Sequence, residues 1–307
     1  ERMITSAIRE FPILASVTQF DLNDTRVCAL DLMDVAPQGD EVADRQTSIM
    51  YMLARHVLVR SWWAGQESLE FMPERFRSYH EARLQDISET PKRLCYDEFH
   101  RTSKSGSVRN QLIRDVREGR KRGVQILLAS QLLDDFDGDM IDLATGVWVL
   151  GSAVSETAVE NVKERFGLTD TARDIIRYKL TGPKSHGAPA LFVLGTTEGR
   201  YEQFLYNTLG PIELWALSTS AEDVAIRNRL YGRLGAGRAR QILATAFPGG
   251  SARNEIKRRV LMKSENEKES RSALASAVID EIVEELVDKS ILAEKQNEME
   301  RFKKASA

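Results

Sequence analysis

The chain has 307 residues, of which 42% are apolar, so it contains enough apolar material for one large or two ordinary folded domains. Its net charge of -3 and its pI near 6.0 argue against a surface built broadly for nucleic acid, which needs a basic excess. The longest apolar stretches, 124–129 and 145–150, are far shorter than the roughly 20 residues of a membrane-spanning helix. We therefore expect a folded protein whose contact with a membrane is peripheral.

The first ninety residues predict one strand followed by two helices. Apolar residues run through Arg26–Leu32, which we predict to be a strand. Helical spacing of apolar residues then predicts a long helix over about 41–63 and a second helix between residues 73 and 91. The chain has two cysteines, Cys28 and Cys95, and each lies in an apolar strand-like run. We therefore expect both thiols to be buried.

The middle of the chain predicts three buried strands. The runs at 92–96, 124–130 and 146–151 are mostly apolar, and helical patterns at about 108–122 and 139–144 separate them. Apolar strands that alternate with helices are typical of a parallel sheet covered on both faces. We therefore predict an α/β fold with a mainly parallel sheet.

The last third predicts a hairpin and then only helices. Pro189–Gly195 and Arg200–Tyr206 are strand-like and are separated by Thr-Thr-Glu-Gly, so we predict an antiparallel hairpin at one sheet edge. Helical patterns follow residue 211. A wide apolar stripe within 272–292 must be buried, either on its own domain or against another subunit or partner.

These patterns divide the chain into three parts. We predict a core domain over 1–215, a helical subdomain over 216–250 and a charged helical tail over 251–307. The boundary near 250 is a Pro-Gly-Gly sequence, which ends a helix.

Two adjacent carboxylates, Asp97 and Glu98, follow the predicted strand at 92–96. At the end of a buried strand, such a pair is typical of a nucleotide triphosphatase that holds magnesium and an attacking water. Asp97 is then expected near the metal, and Glu98 is expected to orient or deprotonate the water. The alternative is a solvated strand end that happens to carry two acids.

Gln131 follows the next predicted strand, 124–130. The carboxyl ends of parallel strands meet at one sheet edge, where such folds bind ligands, so we expect Gln131 to lie beside Asp97 and Glu98. An amide at this position can sense the terminal phosphate or hold the water. The alternative is a polar residue that only closes a strand.

A row of basic residues lies along the helix predicted at 108–122, and most of this row is expected to be a solvated helix face. Arg120 is the exception, because it ends the helix just before the strand that leads to Gln131. Its planar guanidinium suits the phosphate oxygens of a nucleotide, bound either to its own subunit or to a neighbouring one. Lys121, beside it, is a second candidate for binding the nucleotide.

The chain contains no G-x-x-x-x-G-K-[ST] loop, the segment whose backbone amides cradle phosphates. Residues 103–107 resemble such a loop superficially but lack its Gly-Lys-Ser/Thr ending. In this class of protein the loop lies upstream of the carboxylate strand. We therefore expect it to precede Glu1 in a longer protein, and we expect the present chain alone to be almost inactive.

Several short runs occur in an order that is shared with a known family. They are ALDLMDVAP at 29–37, RQT at 45–47, MYMLARH at 50–56, KRLCYDEFHRT at 92–102, REGRK at 117–121, LASQ at 128–131 and NTLGPIELWA at 207–216, with a further match at 218–223. Together they resemble the C-terminal ATPase region of the IcmB/DotO/TraU proteins, the VirB-class ATPases of type IVB secretion and related conjugation systems. The resemblance extends to about residue 251.

The resemblance implies a RecA-like P-loop NTPase fold, truncated here upstream of the phosphate loop, with ATP and Mg²⁺ as ligands. It also implies a hexameric ring in the bacterial cytoplasm that docks on inner-membrane channel components and on other secretion ATPases. Asp97 and Glu98 fall on the metal-binding and catalytic acidic pair of the family, Gln131 on its strand-end glutamine, and Arg120 on the arginine of its basic motif.

Three functions are compatible with these patterns. The leading hypothesis is the C-terminal part of a secretion ATPase that couples ATP hydrolysis to transport. The first alternative is a non-catalytic assembly platform, whose helical tail and arginine face recruit other secretion components. The second is a DNA-translocating motor, which the acidic charge balance disfavours.

Overall fold

The structure is a computed structural model that describes residues 5, 8–16, 22, 25–37, 39–102, 105–151, 155–184, 186–264 and 271–305. The chain divides into two compact units. The first consists of Glu1–Val147, Glu160–Leu168 and Leu194–Arg200, and the second consists of Trp148–Val159, Thr169–Val193 and Tyr201–Ala307.

The elements are numbered here in chain order. The helices are α1 (Glu41–Val59), α2 (Arg77–Glu89), α3 (Gly106–Gly119), α4 (Gly138–Leu143), α5 (Glu156–Phe166), α6 (Asp170–Tyr178), α7 (Pro211–Leu217), α8 (Ala221–Leu234), α9 (Ala236–Ala246), α10 (Arg253–Ser264) and α11 (Arg271–Ala305). The strands are β1 (Lys92–Tyr96), β2 (Val124–Leu128), β3 (Gly146–Leu150), β4 (Ala188–Thr196) and β5 (Gly199–Asn207). Single 3-10 turns extend α1 to Trp63 and α3 to Arg122.

Strands β1 and β2 form a two-stranded parallel sheet, with Leu94 opposite Ile126. Leu94 is buried in a core cluster with Val59 of α1 and Leu112 of α3, whereas Cys95, one residue further along β1, is exposed. Successive side chains of a strand point to opposite faces, and the helices cover only one face here. The α/β class is thus confirmed, but the prediction that both faces of this sheet are covered is wrong.

Two predicted strands do not join β1 and β2. Strand β3 instead belongs to a three-stranded antiparallel sheet of order β3-β4-β5, in which β4 and β5 form the predicted hairpin. Arg26–Leu32 is not a strand, and Val27 within it is 90% exposed. The predicted burial of both thiols is also wrong, because Cys28 lies in this unpaired segment and Cys95 lies on the uncovered face of β1.

A buried ion pair joins α1 to α3. The Nε of Arg55 donates a hydrogen bond of 2.6 Å to Oδ2 of Asp115, a second guanidinium nitrogen contacts Oδ1, and Nε2 of Gln111 donates to Oδ1 at 2.9 Å. The side chains of Arg55 and Asp115 are 11% and 3% exposed. Because both charges are largely removed from water, each depends on the other for much of its solvation.

Helices α7 to α11 of the second unit share one apolar core. Val278, Ile282 and Leu286 of the predicted stripe are buried on α11, and they pack with Trp215 of α7 and Leu243 of α9. Up to Leu286, the stripe is therefore covered by its own chain. Helices from the predicted subdomain 216–250 and from the predicted tail 251–307 both contribute to this core.

A buried carboxylate connects the beginnings of two helices in this unit. Asp223, 2% exposed in the first turn of α8, accepts hydrogen bonds from Oγ of Ser251 at 2.7 Å and from the backbone N–H of Ala252 at 2.8 Å, just before α10. Oγ of Ser220 also donates to it.

Among the described residues, no helix combines the length and the apolar character that crossing a membrane requires.

Removing one partner of the buried ion pair tests its contribution. We expect Asp115→Ala to lower the free energy of unfolding by about 3–5 kcal/mol, because it leaves the Arg55 charge buried and unpaired. Glu41→Ala, which breaks the exposed pair between Glu41 and Arg45, is the matched control and should change it by less than about 1 kcal/mol. Chemical denaturation measures the free energy of unfolding of both variants. Equal decreases in the two variants would contradict a structural role for the buried pair.

Candidate functional site

The pairing of β1 with β2 continues beyond both strands. The N–H of Ala129 donates to the carbonyl of Tyr96 at 2.9 Å, and the N–H of Phe99 donates to the carbonyl of Ala129 at 2.8 Å. Asp97 and Glu98 lie between these two hydrogen bonds. The acid pair is therefore held at the carboxyl edge of the sheet, next to the end of β2.

Glu98 has a left-handed backbone conformation, with φ 51° and ψ 49°. It is the only residue other than glycine with positive φ in the described part of the chain. Such a conformation costs a residue with a Cβ atom about 1–2 kcal/mol. Its N–H donates to Oδ1 of Asp97 at 3.0 Å.

The structure brings Glu98 and Gln131 together. Nε2 of Gln131 lies 3.1 Å from each carboxylate oxygen of Glu98 and donates to both. Nδ1 of His100 lies 3.0 Å from Oε2 of the same carboxylate, a contact that becomes an ion pair when the imidazole is protonated. The Glu98 carboxylate is therefore hydrogen-bonded by an amide and lies against an imidazole.

His100 was not among the residues singled out from the sequence. In the sequence, His100 lies shortly after the strand predicted at 92–96, without the cysteine and histidine spacing of a zinc site. The informative signal is the spacing of two residues between Glu98 and His100, because a tight turn at Glu98 brings the His100 side chain back to the Glu98 carboxylate. That turn is visible only in the backbone, since glutamate rarely adopts the left-handed conformation.

The structure does not bring Arg120 and Lys121 to this edge. Both are exposed and lie just before the amino end of β2, whereas Gln131 follows its carboxyl end. The strand alone separates the two ends by about 13 Å, at roughly 3.3 Å per residue. Within one chain, Arg120 therefore does not reach the Glu98 carboxylate.

Two stacked tyrosines lie close to the acid pair. The rings of Tyr51 and Tyr96 are 6.5 Å apart and nearly parallel. Burial raises the pKa of Tyr51, the positive charge of Arg101 opposes this rise, and the negative charges of Asp97 and Glu98 add to it. Burial also raises the pKa of Tyr96. Both hydroxyls therefore remain protonated at neutral pH, so these rings add no negative charge.

The acid pair fits magnesium only in combination with phosphate. Among the described residues, no group of three or more histidine, cysteine, aspartate or glutamate side chains is arranged to hold a metal. Mg²⁺ in phosphoryl-transfer sites is bound by one or two carboxylates, and waters and substrate phosphates complete its octahedron. Asp97 would supply one such carboxylate. The residues therefore suit a magnesium ion that arrives with a nucleotide, and not one held by the protein alone.

Comparison of the chain with protein-family models, with curated proteins and with solved structures gives no match. The case for function therefore depends on the site and on the sequence motifs.

Replacing Glu98 by glycine or alanine tests the backbone strain. We expect the Glu98→Gly variant to be more stable than the Glu98→Ala variant by about 1 kcal/mol, because both lose the side chain but only glycine adopts positive φ freely. At Glu81, exposed in the middle of α2, the order should reverse by a similar amount. Chemical denaturation of the four variants provides the comparison. The same order at both positions would mean that Glu98 is not held in the left-handed conformation.

Proposed function

We propose that this chain is the C-terminal part of a secretion ATPase of the IcmB/DotO/TraU type, with a RecA-like core. The intact protein hydrolyses ATP to energise type IVB secretion or conjugative transfer. The supporting observation is the contact of the Gln131 amide with the Glu98 carboxylate at the carboxyl edge of two neighbouring parallel strands. In open α/β sheets this edge is where ligands bind.

The acidic pair has two separate tasks in this proposal. Asp97 binds the magnesium ion that accompanies ATP, and this ion neutralises charge on the phosphates. Glu98 orients the attacking water and accepts its proton. The contacts of the two carboxylates support this division, because Glu98 is contacted by Gln131 and His100, whereas Asp97 accepts from the backbone N–H of Glu98. Their charges then serve the metal and the water separately.

Gln131 links the state of the nucleotide to Glu98. Its amide donates to the Glu98 carboxylate in the structure described here, and the same N–H groups can donate to a terminal phosphate oxygen or to the water. In the proposed cycle, the amide turns from the carboxylate to the nucleotide when ATP binds. The carboxylate is then free to accept a hydrogen bond from the water.

Arg120 acts across a subunit boundary. It lies at the opposite end of β2 from Gln131, so its guanidinium serves a phosphate only in a neighbouring copy. Lys121 lies next to it and contributes positive charge to the same boundary. We propose that this boundary belongs to a homo-oligomeric ring of six subunits. We propose further that the ring docks on the inner-membrane channel and on other secretion ATPases from the bacterial cytoplasm.

The phosphate loop is supplied by a part of the protein outside this chain, since no such loop is present in the sequence. Hydrolysis should therefore be measured on a protein that includes it. In that protein, we expect Glu98→Gln to lower the rate of ATP hydrolysis about 10²–10⁴-fold, while ATP binding is retained. Glu81→Gln, which changes an exposed glutamate of α2, is the matched control and should leave the rate unchanged.

Steady-state hydrolysis and equilibrium binding of a fluorescent ATP analogue separate the two effects. Retained hydrolysis in Glu98→Gln would exclude Glu98 as the general base. Loss of ATP binding in the same variant would assign the residue to nucleotide binding instead.

Mixed oligomers test the position of Arg120. We expect Arg120→Ala and Glu98→Gln each to be inactive alone and to recover hydrolysis when mixed, because about a quarter of the boundaries then combine both native residues. Mixing Glu98→Gln with Gln131→Ala is the control, since both residues belong to one chain's edge and every boundary lacks one of them. No recovery in the first mixture would place Arg120 outside the site.

A further inference from the structure

His100 lies in a single 3-10 turn, Phe99–Arg101, directly after the acid pair. Hydrogen bonds fix the backbone on both sides of it. The N–H of Phe99 donates to the carbonyl of Ala129 at 2.8 Å, and the N–H of Thr102 donates to the carbonyl of Phe99 at 3.0 Å. Phe99 and Thr102 are themselves fully buried, and Phe99 belongs to the core cluster of β1. The sheet and this core therefore determine where the backbone of His100 lies.

The imidazole of His100 turns back to the Glu98 carboxylate, and its Nδ1 lies 3.0 Å from Oε2. The imidazole side chain is 35% exposed, but its Nδ1 atom is almost inaccessible to water. A buried polar atom costs free energy unless it has a polar partner. The carboxylate beside Nδ1 stabilises a proton on this nitrogen. Contacts of this kind often become well-aligned hydrogen bonds only when the substrate binds.

The Glu98 carboxylate needs a partner that remains when the nucleotide binds. Its side chain is 43% exposed, and holding a long side chain in one rotamer costs conformational entropy. In the structure, Nε2 of Gln131 contacts both carboxylate oxygens. In the proposed cycle, this amide turns to the nucleotide when ATP binds. The imidazole of His100 is then the contact that keeps the carboxylate beside the water.

We propose that His100 is the positioning residue for Glu98, with Nδ1 donating to Oε2 while Oε1 faces the attacking water. The two oxygens of the carboxylate then have separate tasks, because the protein holds Oε2 and the proton of the water passes to Oε1. A base that a third group orients recurs in enzymes that activate a nucleophile. The inference rests on the proposed function, since it assigns a partner to the general base of that reaction.

Asparagine and glutamine in place of His100 separate positioning from packing. Both replace the imidazole by an amide, but the amide nitrogen of asparagine falls near the position of Nδ1, whereas that of glutamine falls near the position of Nε2. His100→Asn therefore keeps the donor to Glu98, and His100→Gln loses it. His56→Ala, which removes an exposed histidine of α1, is the matched control.

The kinetic measurement uses a protein that includes the phosphate loop. We expect His100→Ala to lower kcat for ATP hydrolysis about 10–100-fold, because the base is no longer held in position. The KM for ATP should change less than about threefold, since His100 acts on Glu98 and not on the nucleotide. We expect His100→Asn to keep kcat within about threefold of the unaltered protein, and His100→Gln to lose as much as His100→Ala. His56→Ala should leave kcat unchanged.

The outcomes distinguish this inference from the proposed function. An unchanged kcat in His100→Ala would overturn the inference and leave the proposed function intact. Equal losses of kcat in His100→Asn and His100→Gln would also overturn it, because His100 would then have only a structural role. Absence of hydrolysis by the unaltered protein would refute the proposed function itself and, with it, the role of His100.

Nuclear magnetic resonance of the imidazole nitrogens tests the contact on the present chain, without any nucleotide. The chain has four histidines, and the signals that disappear in His100→Asn are those of His100. We expect a proton on Nδ1 of His100, because the neighbouring carboxylate favours it there. Glu98→Gly, which removes the carboxylate and suits the left-handed turn, should shift these signals, whereas Glu81→Ala should not. An unprotonated Nδ1, or unshifted signals in Glu98→Gly, would overturn the inference.

Discussion

The parallel register of β1 and β2 is the constraint on which the candidate site depends. Leu94 lies opposite Ile126, and the ladder continues through Ala129 to Phe99. A slip of one residue would turn every side chain of β1 to the other face and would move Glu98 away from Gln131. The register is strongly specified because Leu94 and its neighbours are buried against helices on one side only.

A buried ion pair connects two of the helices that specify this register. Helix α3 connects β1 to β2, and the buried pair of Arg55 and Asp115 attaches it to α1. A buried ion pair adds little net stability compared with apolar residues, but it tolerates few alternative arrangements. The ion pair therefore influences the geometry of the sheet edge through the position of α3, although the pair itself lies away from that edge. The strained backbone of Glu98 persists because the hydrogen bonds on both sides of it are already made.

Those parts of the site that follow from chain order could be predicted from the sequence. Gln131 comes next to Glu98 because each ends a strand of one parallel sheet, and periodicity is sufficient to find both strands. The same rule places Arg120 before β2, and therefore at the opposite end of that strand from Gln131. The pairing of Arg55 with Asp115 could not be predicted, because the two residues are 60 positions apart and charged residues are usually exposed. The left-handed turn at Glu98 has no signal in residue type.

The segment Arg26–Leu32 shows why an apolar run is not sufficient evidence for a strand. Residue types determine how well a segment suits a sheet, whereas a strand exists only when a neighbouring edge pairs with it. Here the suitable segment lines one cleft together with β1 but does not pair with it, and a loop fixed to α1 follows the segment. Exposure of Cys28 and Cys95 has the same cause, since within the described part of the chain no element covers either thiol.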